Sequence, residues 1–200
     1  MKEPLLTILR DRFSTLEHFR RSADQMAMLV AAESGAFIAK EARSVETPLG
    51  TAKGTSIKIE PVLVPILRAG LVLLPPFLKL YREAPIGLIG IRRNEKTAAP
   101  EFYYENLPQV HKESPVFLLD PMLATGQSAS MAVKLIQEKG ASPSQIVLFS
   151  ILAAPEGVNF FKTHHPDVRL SIVKVDQSLN AAKWIVPGLG DFGDRYFGTC

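Results

Sequence analysis

FLLDPMLATGQSAS, residues 117–130, is the stretch on which the fold reading turns. An apolar run ends at Asp120 and Pro121. A small, hydroxyl-rich segment, Ala124 to Ser128, then leads into a helical pattern. Short apolar runs without alternation suit strands buried on both faces, as in a parallel sheet. PVFLLD (115–120) is one such run, and PVLVPIL (61–67), IGLIGI (86–91) and QIVLFSILAA (145–154) are the others. RLSIVKVD (169–176) reads as a further strand. Helical segments lie between or after them: LVLLPPFLKLYRE, SASMAVKLIQEKG with Gly140 as its stop signal, and PEGVNFFKTHHP. This alternation predicts an α/β fold with a mostly parallel central sheet flanked by helices.

The chain has 200 residues, enough for one domain with a full core. Its 46% hydrophobic and 22% charged content is that of an ordinary globular protein. The 23 basic and 20 acidic residues leave a formal charge of +3, so no nucleic-acid partner is called for. The single cysteine, Cys200, permits neither an internal disulfide nor a thiolate metal cluster. The opening KEPLLTILRDRF is too charged for a secretory signal, and the longest apolar stretch (62–80) carries Arg68, Lys79 and three prolines. A cytoplasmic protein without a membrane span is expected.

Toward the N-terminus, Ser14 and Glu17 have the spacing of a capping box. Leu16, Phe19, Ala23, Met26 and Val30 then define one face of a helix expected to run to about Arg43. VETPLGT and TSIKIE, about a Lys53-Gly54 turn, read as a hairpin, which has little room in a wound sheet and is expected to form an arm or hood. Residues 93–101, RNEKTAAPE, read as an exposed flexible loop.

In an open α/β sheet, ligands bind beyond the carboxyl ends of the strands. Asp120 stands at such an end. The backbone N–H groups after it can converge on an anion, helped by the dipole of a helix starting near Ser128 and by the Thr125 and Ser128 hydroxyls. A phosphate suits the turn, whereas Asp120 would repel one and better faces sugar hydroxyls. The same turn also serves as a plain helix cap in many α/β proteins. It is neither a Walker A loop nor a GxGxxG fingerprint. In VPILRAGL (64–71), Arg68 follows a buried strand, which points either to an anion or to a structural ion pair. WIVPGLGDFGDRYFGT (184–199) combines Gly188, Gly190, Gly193 and Gly198 with aromatics. Such a segment lets backbone approach a flat ligand closely.

Together these stretches resemble the uracil phosphoribosyltransferase family. DPMLATGQS (120–128) is similar to its signature for PRPP (5-phosphoribosyl 1-diphosphate). VPILRAG resembles its diphosphate-side loop and RRNEKT (92–97) the start of its active-site loop. DQSLN with VPGLGDFGDRYFGT resembles its uracil-binding C-terminus, and AAPEG (153–157) and HPDV (165–168) fit as well. The match is dense from about 61 to 199; the first sixty residues carry no specific motif. Gln127 stands where many members have glycine. A side chain there crowds the phosphate and disfavours φ > 0, yet the wider class tolerates one, so the turn is expected to survive. Trp184 replaces another aromatic, and Arg92 precedes Arg93 where a neutral residue is common. Pro121 replaces the second acid of the wider class, as it does throughout this family.

The resemblance implies one phosphoribosyltransferase domain over 1–200. It would comprise a helix and arm (1–60), an α/β core (61–176) and a uracil-binding C-terminal hood (177–200). It implies that uracil and PRPP become UMP and diphosphate in pyrimidine salvage. Catalysis would fall to Arg68, Asp120 and Asp191. PRPP would be held by Arg68, Arg93, Asp120, Pro121, Met122, Leu123, Ala124, Thr125, Gly126, Gln127, Ser128 and Asp191. Main-chain groups at Ile185, Gly190 and Phe192, with Asp191 beside them, would bind uracil. Mg²⁺ would arrive on PRPP, with no protein metal site. A homodimer or larger homo-oligomer is implied, and GTP activates some relatives. Asp194 and Arg195 are expected to pair structurally, and His164-His165 to be a cap or surface pair. The alternative is a nucleotide-sensing, RNA-binding regulator of the same fold. A purine or orotate enzyme is disfavoured by VPGLGDFGD.

Overall fold

The computed structural model describes residues 1–93 and 100–199, with only the backbone of Arg93. The central sheet is built from β3 (Val62–Leu67), β4 (Leu88–Arg93), β5 (Pro100–Asn106), β6 (Val116–Leu119), β7 (Met122–Leu123), β8 (Ile146–Ala153) and β9 (Arg169–Val175). Pairing runs β5-β4-β3-β6-β8-β9, all parallel except the antiparallel β4–β5 pair. β6 and β7 lie in series along one edge of β8, interrupted at Asp120 and Pro121. The Pro121 carbonyl bridges the gap by accepting from the N–H groups of Ile151 and Leu152, each at 3.0 Å.

Every residue of β6 and β8 is buried, because helices cover both faces of the sheet. Leu63, Phe117, Phe149 and Ile151 face one core, where α2 (Leu16–Glu33) and α3 (Leu74–Leu80) pack. Their alternates Val62, Val64, Leu118 and Leu148 face a second core under α4 (Gln127–Glu138) and α5 (Pro155–His164). A period-two strand with two apolar faces needs exactly such cover, which is why these runs showed no polar alternation. The expected α/β architecture is therefore the observed one.

Near the N-terminus the expectations need correction. α1 (Lys2–Arg10) was not anticipated; it buries Leu5, Leu6 and Leu9 beside α2. Thr15, rather than Ser14, caps α2, accepting from the His18 N–H at 3.2 Å. The Ser14 hydroxyl is committed elsewhere, donating to the Ile8 carbonyl at 2.6 Å. α2 stops at Glu33, ten residues short of the expected Arg43. Buried Ser34 donates to the Ala31 carbonyl and meets the Tyr81 hydroxyl, closing the helix end. The backbone beyond is taken by the exposed hairpin β1 (Lys40–Thr47) and β2 (Gly50–Ile57). Its turn lies at Pro48-Leu49, and Lys53-Gly54 sits inside β2. Turning earlier lets eight residue pairs form, and Thr47 Oγ1 closes the tip by donating to the Gly50 carbonyl.

Other differences lie further along. β5 falls within and beyond the stretch read as a loop, and residues 94–99 of that reading lie outside the described residues. His165 is the C-cap residue of α5, as the cap reading expected, but it is buried, its Nε2 2.7 Å from Ser130 Oγ, so it joins α5 to α4 and forms no surface pair with exposed His164. Burial, with His164 and Lys134 nearby, holds its imidazole below the ordinary range.

Candidate active site

The carboxyl ends of β3, β4 and β6 open into a cavity of about 1230 Å³. Its wall includes Arg68 and Ala69 after β3, Tyr103 of β5, Asp120 and Met122 at the break in β6–β7, and Ser128 at the start of α4. The far wall is Ala181–Trp184 with Asp191, Gly193 and Asp194. A side pocket of about 100 Å³ is lined by Leu123, Ala124, Thr125, Gly126, Ser128 and Lys183, among others. The turn read as an anion cradle is thus a concave feature continuous with the larger cavity through Asp120, Met122 and Ser128.

Local chemistry shapes that cradle. Gly126 takes φ 79°, a left-handed conformation natural to glycine, and starts α4. A Cβ there would lie 2.8 Å from the Gly157 carbonyl oxygen, so α5 packs against the turn without space for a side chain. Gln127 is the first residue of α4, exposed, and outside the positive-φ set. Gly126, and not Gln127, supplies the left-handed residue, and Gln127 is not among the residues lining the cradle pocket. Pro121 is buried and serves the sheet rather than the pocket.

Asp120 accepts from the Met122 N–H at 3.3 Å, and its carbonyl accepts from the Ser150 hydroxyl at 2.6 Å. Burial pushes its carboxyl up to about 7, against the smaller effect of the Met122 hydrogen bond. An acid so poised at a cleft floor is a functional candidate.

Arg68 donates to Asp194 Oδ1 at 2.9 Å and lies over the Phe197 ring. Both side chains are partly exposed to the cavity, and such a pair contributes little net stability, so a phosphate can compete for the guanidinium. Arg68 is thus ion-paired, as one reading had it, and it also lines the cavity. The turn that carries it presses on the sheet, since a Cβ at Gly70 would lie 2.3 Å from the Leu119 carbonyl oxygen.

The C-terminal hood comprises β10 (Ser178–Leu179), β11 (Ile185–Val186) and α6 (Phe192–Phe197). Ile185 and Phe192 send their side chains into the core, leaving only main chain for a ligand, and Gly190 takes φ 80°. None of these three lines the cavity, whereas their neighbours Trp184, Asp191 and Gly193 do. Asp191 caps α6, accepting from the Asp194 N–H at 2.8 Å, so one of its carboxylate oxygens is already engaged. Arg195 is structural, donating to the carbonyls of Leu9, Leu189 and Asp11 and lying over Phe19, but Asp194, expected to pair with it, takes Arg68 instead. The side chain of Arg93 is outside the described residues. Sequence reasoning missed Tyr103 and Lys183. FYY (102–104) was an unused aromatic strand signal, but nothing local marked Lys183.

An acid at a sheet-end cleft, followed by an anion cradle and faced by an arginine, is the arrangement of a class of enzymes that handle phosphorylated sugars. Comparison narrows the class. The family model for uracil phosphoribosyltransferase matches residues 2–199. A uracil phosphoribosyltransferase of Thermus thermophilus is 44% identical over 195 residues, covering 97% of this chain and 93% of that one. One from Campylobacter fetus is 41% identical over 197 residues, covering 98% and 93%. A solved structure from Aquifex aeolicus is similar with TM-score 0.88 at 32% identity, over 98% of this chain and 93% of that one. An adenine phosphoribosyltransferase from Leishmania donovani, TM-score 0.53 and 18% identical over 82% of this chain and 68% of that one, shares the fold alone. The chain belongs to the uracil phosphoribosyltransferase family, and is a pentosyltransferase.

Proposed function

We propose that this chain joins uracil to PRPP, giving UMP and diphosphate, as its part in pyrimidine salvage. The observation that supports the reading is a pair of adjoining pockets. Arg68 and hood residues line the larger, Ala124 to Gly126 line the smaller, and Asp120, Met122, Ser128 and Lys183 line both. N1 of uracil attacks C1 of the ribose as diphosphate leaves, and positive charge develops on the sugar. The protein positions the partners and stabilises that charge. Backbone amides of Ala124 to Ser128, with the Thr125 and Ser128 hydroxyls, hold the 5-phosphate at the start of α4. Asp120, ionised, accepts from the ribose hydroxyls. Arg68 exchanges Asp194 for the leaving diphosphate, joined by Arg93. Main chain at Ile185, Gly190 and Phe192, each next in sequence to a residue of the cavity wall (Trp184, Asp191, Gly193), reads the uracil edge, and a buried donor facing the amino group of cytosine would reject it. Asp191 holds α6 in register with these contacts.

Mg²⁺ enters with PRPP, held by phosphate oxygens and water. Among the described residues no three acids, histidines or cysteines cluster as metal ligands. We further infer one catalytic unit over the whole chain and a cytoplasmic setting; no helix of the described residues is long and apolar enough to cross a membrane. A homo-oligomer is supported by the arm. Every residue of β1 is exposed, as are Val45, Leu49 and Ile57, and an isolated two-stranded ribbon is marginal in water.

The test is UMP formation from uracil, PRPP and Mg²⁺, with cytosine, orotate and hypoxanthine as parallel substrates, with and without GTP. Turnover with uracil alone is expected. Turnover with another base, or none under either condition, overturns the reading.

A further inference from the structure

Lys183 is a cationic residue of the cavity wall that the reading above leaves without a task. It lines both the large cavity and the small pocket at the 124–128 cradle. Three described cations line the large cavity, and two are committed: Arg68 to Asp194 at 2.9 Å and Arg92 to Glu101 at 3.0 Å. Among the described residues no carboxylate lies within ion-pair distance of the Lys183 ammonium; Glu156 feels its charge, but accepts from the Leu179 N–H instead.

The backbone of Lys183 is unusual as well. It takes φ 63°, the one non-glycine residue with positive φ among those described. The loop around it is a tight turn: the Lys183 N–H donates to the Asn180 carbonyl, and the Trp184 N–H to Asn180 Oδ1, each at 2.9 Å. Glycine would make that turn with less strain. A long cationic side chain in its place, exposed and lining the pocket at the 124–128 turn, calls for a ligand.

We infer that the Lys183 ammonium binds the 5-phosphate of PRPP and of UMP, closing the cradle from the side opposite α4. The cradle amides provide directional donors but no full charge; Lys183 adds the counter-charge from the hood. It therefore links occupation of the phosphate site to the segment that holds the base. This rests on the reading proposed above.

The test is calorimetric titration of wild type, K183G and K183R with UMP, uridine and diphosphate, alongside the KM for PRPP. Because glycine is at home at this φ, K183G is expected to fold and to melt no lower than wild type. K183G is expected to weaken UMP binding and raise the PRPP KM, each about tenfold, with uridine and diphosphate unaffected. K183R is expected to retain most of the UMP affinity. Three results overturn the inference alone: unchanged UMP affinity in K183G, equal losses for UMP and uridine, or a loss confined to diphosphate. Wild type that binds neither UMP nor diphosphate overturns the parent reading, and the inference with it.

Discussion

At the scale of single residues, Asp120 sets the pH behaviour. Its carboxyl is pushed up to about 7 by burial, so it loses its proton near neutrality. If the ionised form faces the ribose, kcat/KM for PRPP should rise with pH through about 7, and a pH–rate profile checks this. D120N should flatten that limb and lower kcat by roughly 10²-fold. Stability runs the other way. A folded carboxyl with a raised value stabilises the protein fully only below its unfolded value, about 4, and that contribution is lost as pH climbs toward 7. In the absence of substrate, D120N should therefore melt above wild type at pH 8, with the advantage shrinking toward pH 5 in calorimetric scans. Gly70 is a second single-residue constraint. With the Leu119 carbonyl 2.3 Å from where a Cβ would stand, G70A should cost about 1–3 kcal/mol in a denaturant titration, since backbone has to move.

Between elements, one clamp joins α1 to the C-terminal hood. Arg10 donates to both carboxylate oxygens of Asp176 and to the Gly188 carbonyl, while the Gly188 N–H donates to Asp176. Burial would raise the Asp176 carboxyl, but the Arg10 bond and the Gly188 N–H outweigh it and hold it below its ordinary value. Removing Arg10 leaves a side chain only 3% exposed without its counter-charge. R10A should raise the KM for uracil about tenfold while changing that for PRPP little, because the clamp holds the 187–190 turn and not the phosphate cradle. Steady-state kinetics in both substrates separates the two. The buried Ser130–His165 joint between α4 and α5 has its own signature. With the imidazole held low, its contribution is present above about 6.5 and lost as pH falls through the folded value. Amide exchange of 127–138 and 155–164 should accelerate below that pH.

For the whole molecule, the arm is the feature that a lone chain does not explain. β1 and β2 contact mainly each other and leave Leu49 fully exposed. Replacing 41–56 by a short turn should convert an oligomer into monomers in sedimentation velocity, with the sheet core retained by circular dichroism. Much of the architecture was legible in the chain because its signals are contiguous. The β3, β6 and β8 runs are apolar without alternation, and the 120–128 turn lies in one stretch. The misses follow the same logic. α1 is short and is held by its burial against α2; β5 needs β4 beside it; His165 reads as a surface residue until α4 is laid against it.

The local features are written in the chain itself, in order: an arginine after β3, an acid after β6, a turn of small and hydroxyl residues, and a glycine-rich tail. Each is a local pattern of a few residues, and local sterics and hydrogen bonding suffice to specify it. Tertiary structure alone decided which of these meet. Arg68 finds Asp194 across 126 residues and Arg10 finds Asp176 across 166, and Lys183 reaches the cradle from the hood. Such pairings depend on how two layers of helices pack on a twisted sheet, and packing is a property of the whole core that no short segment encodes.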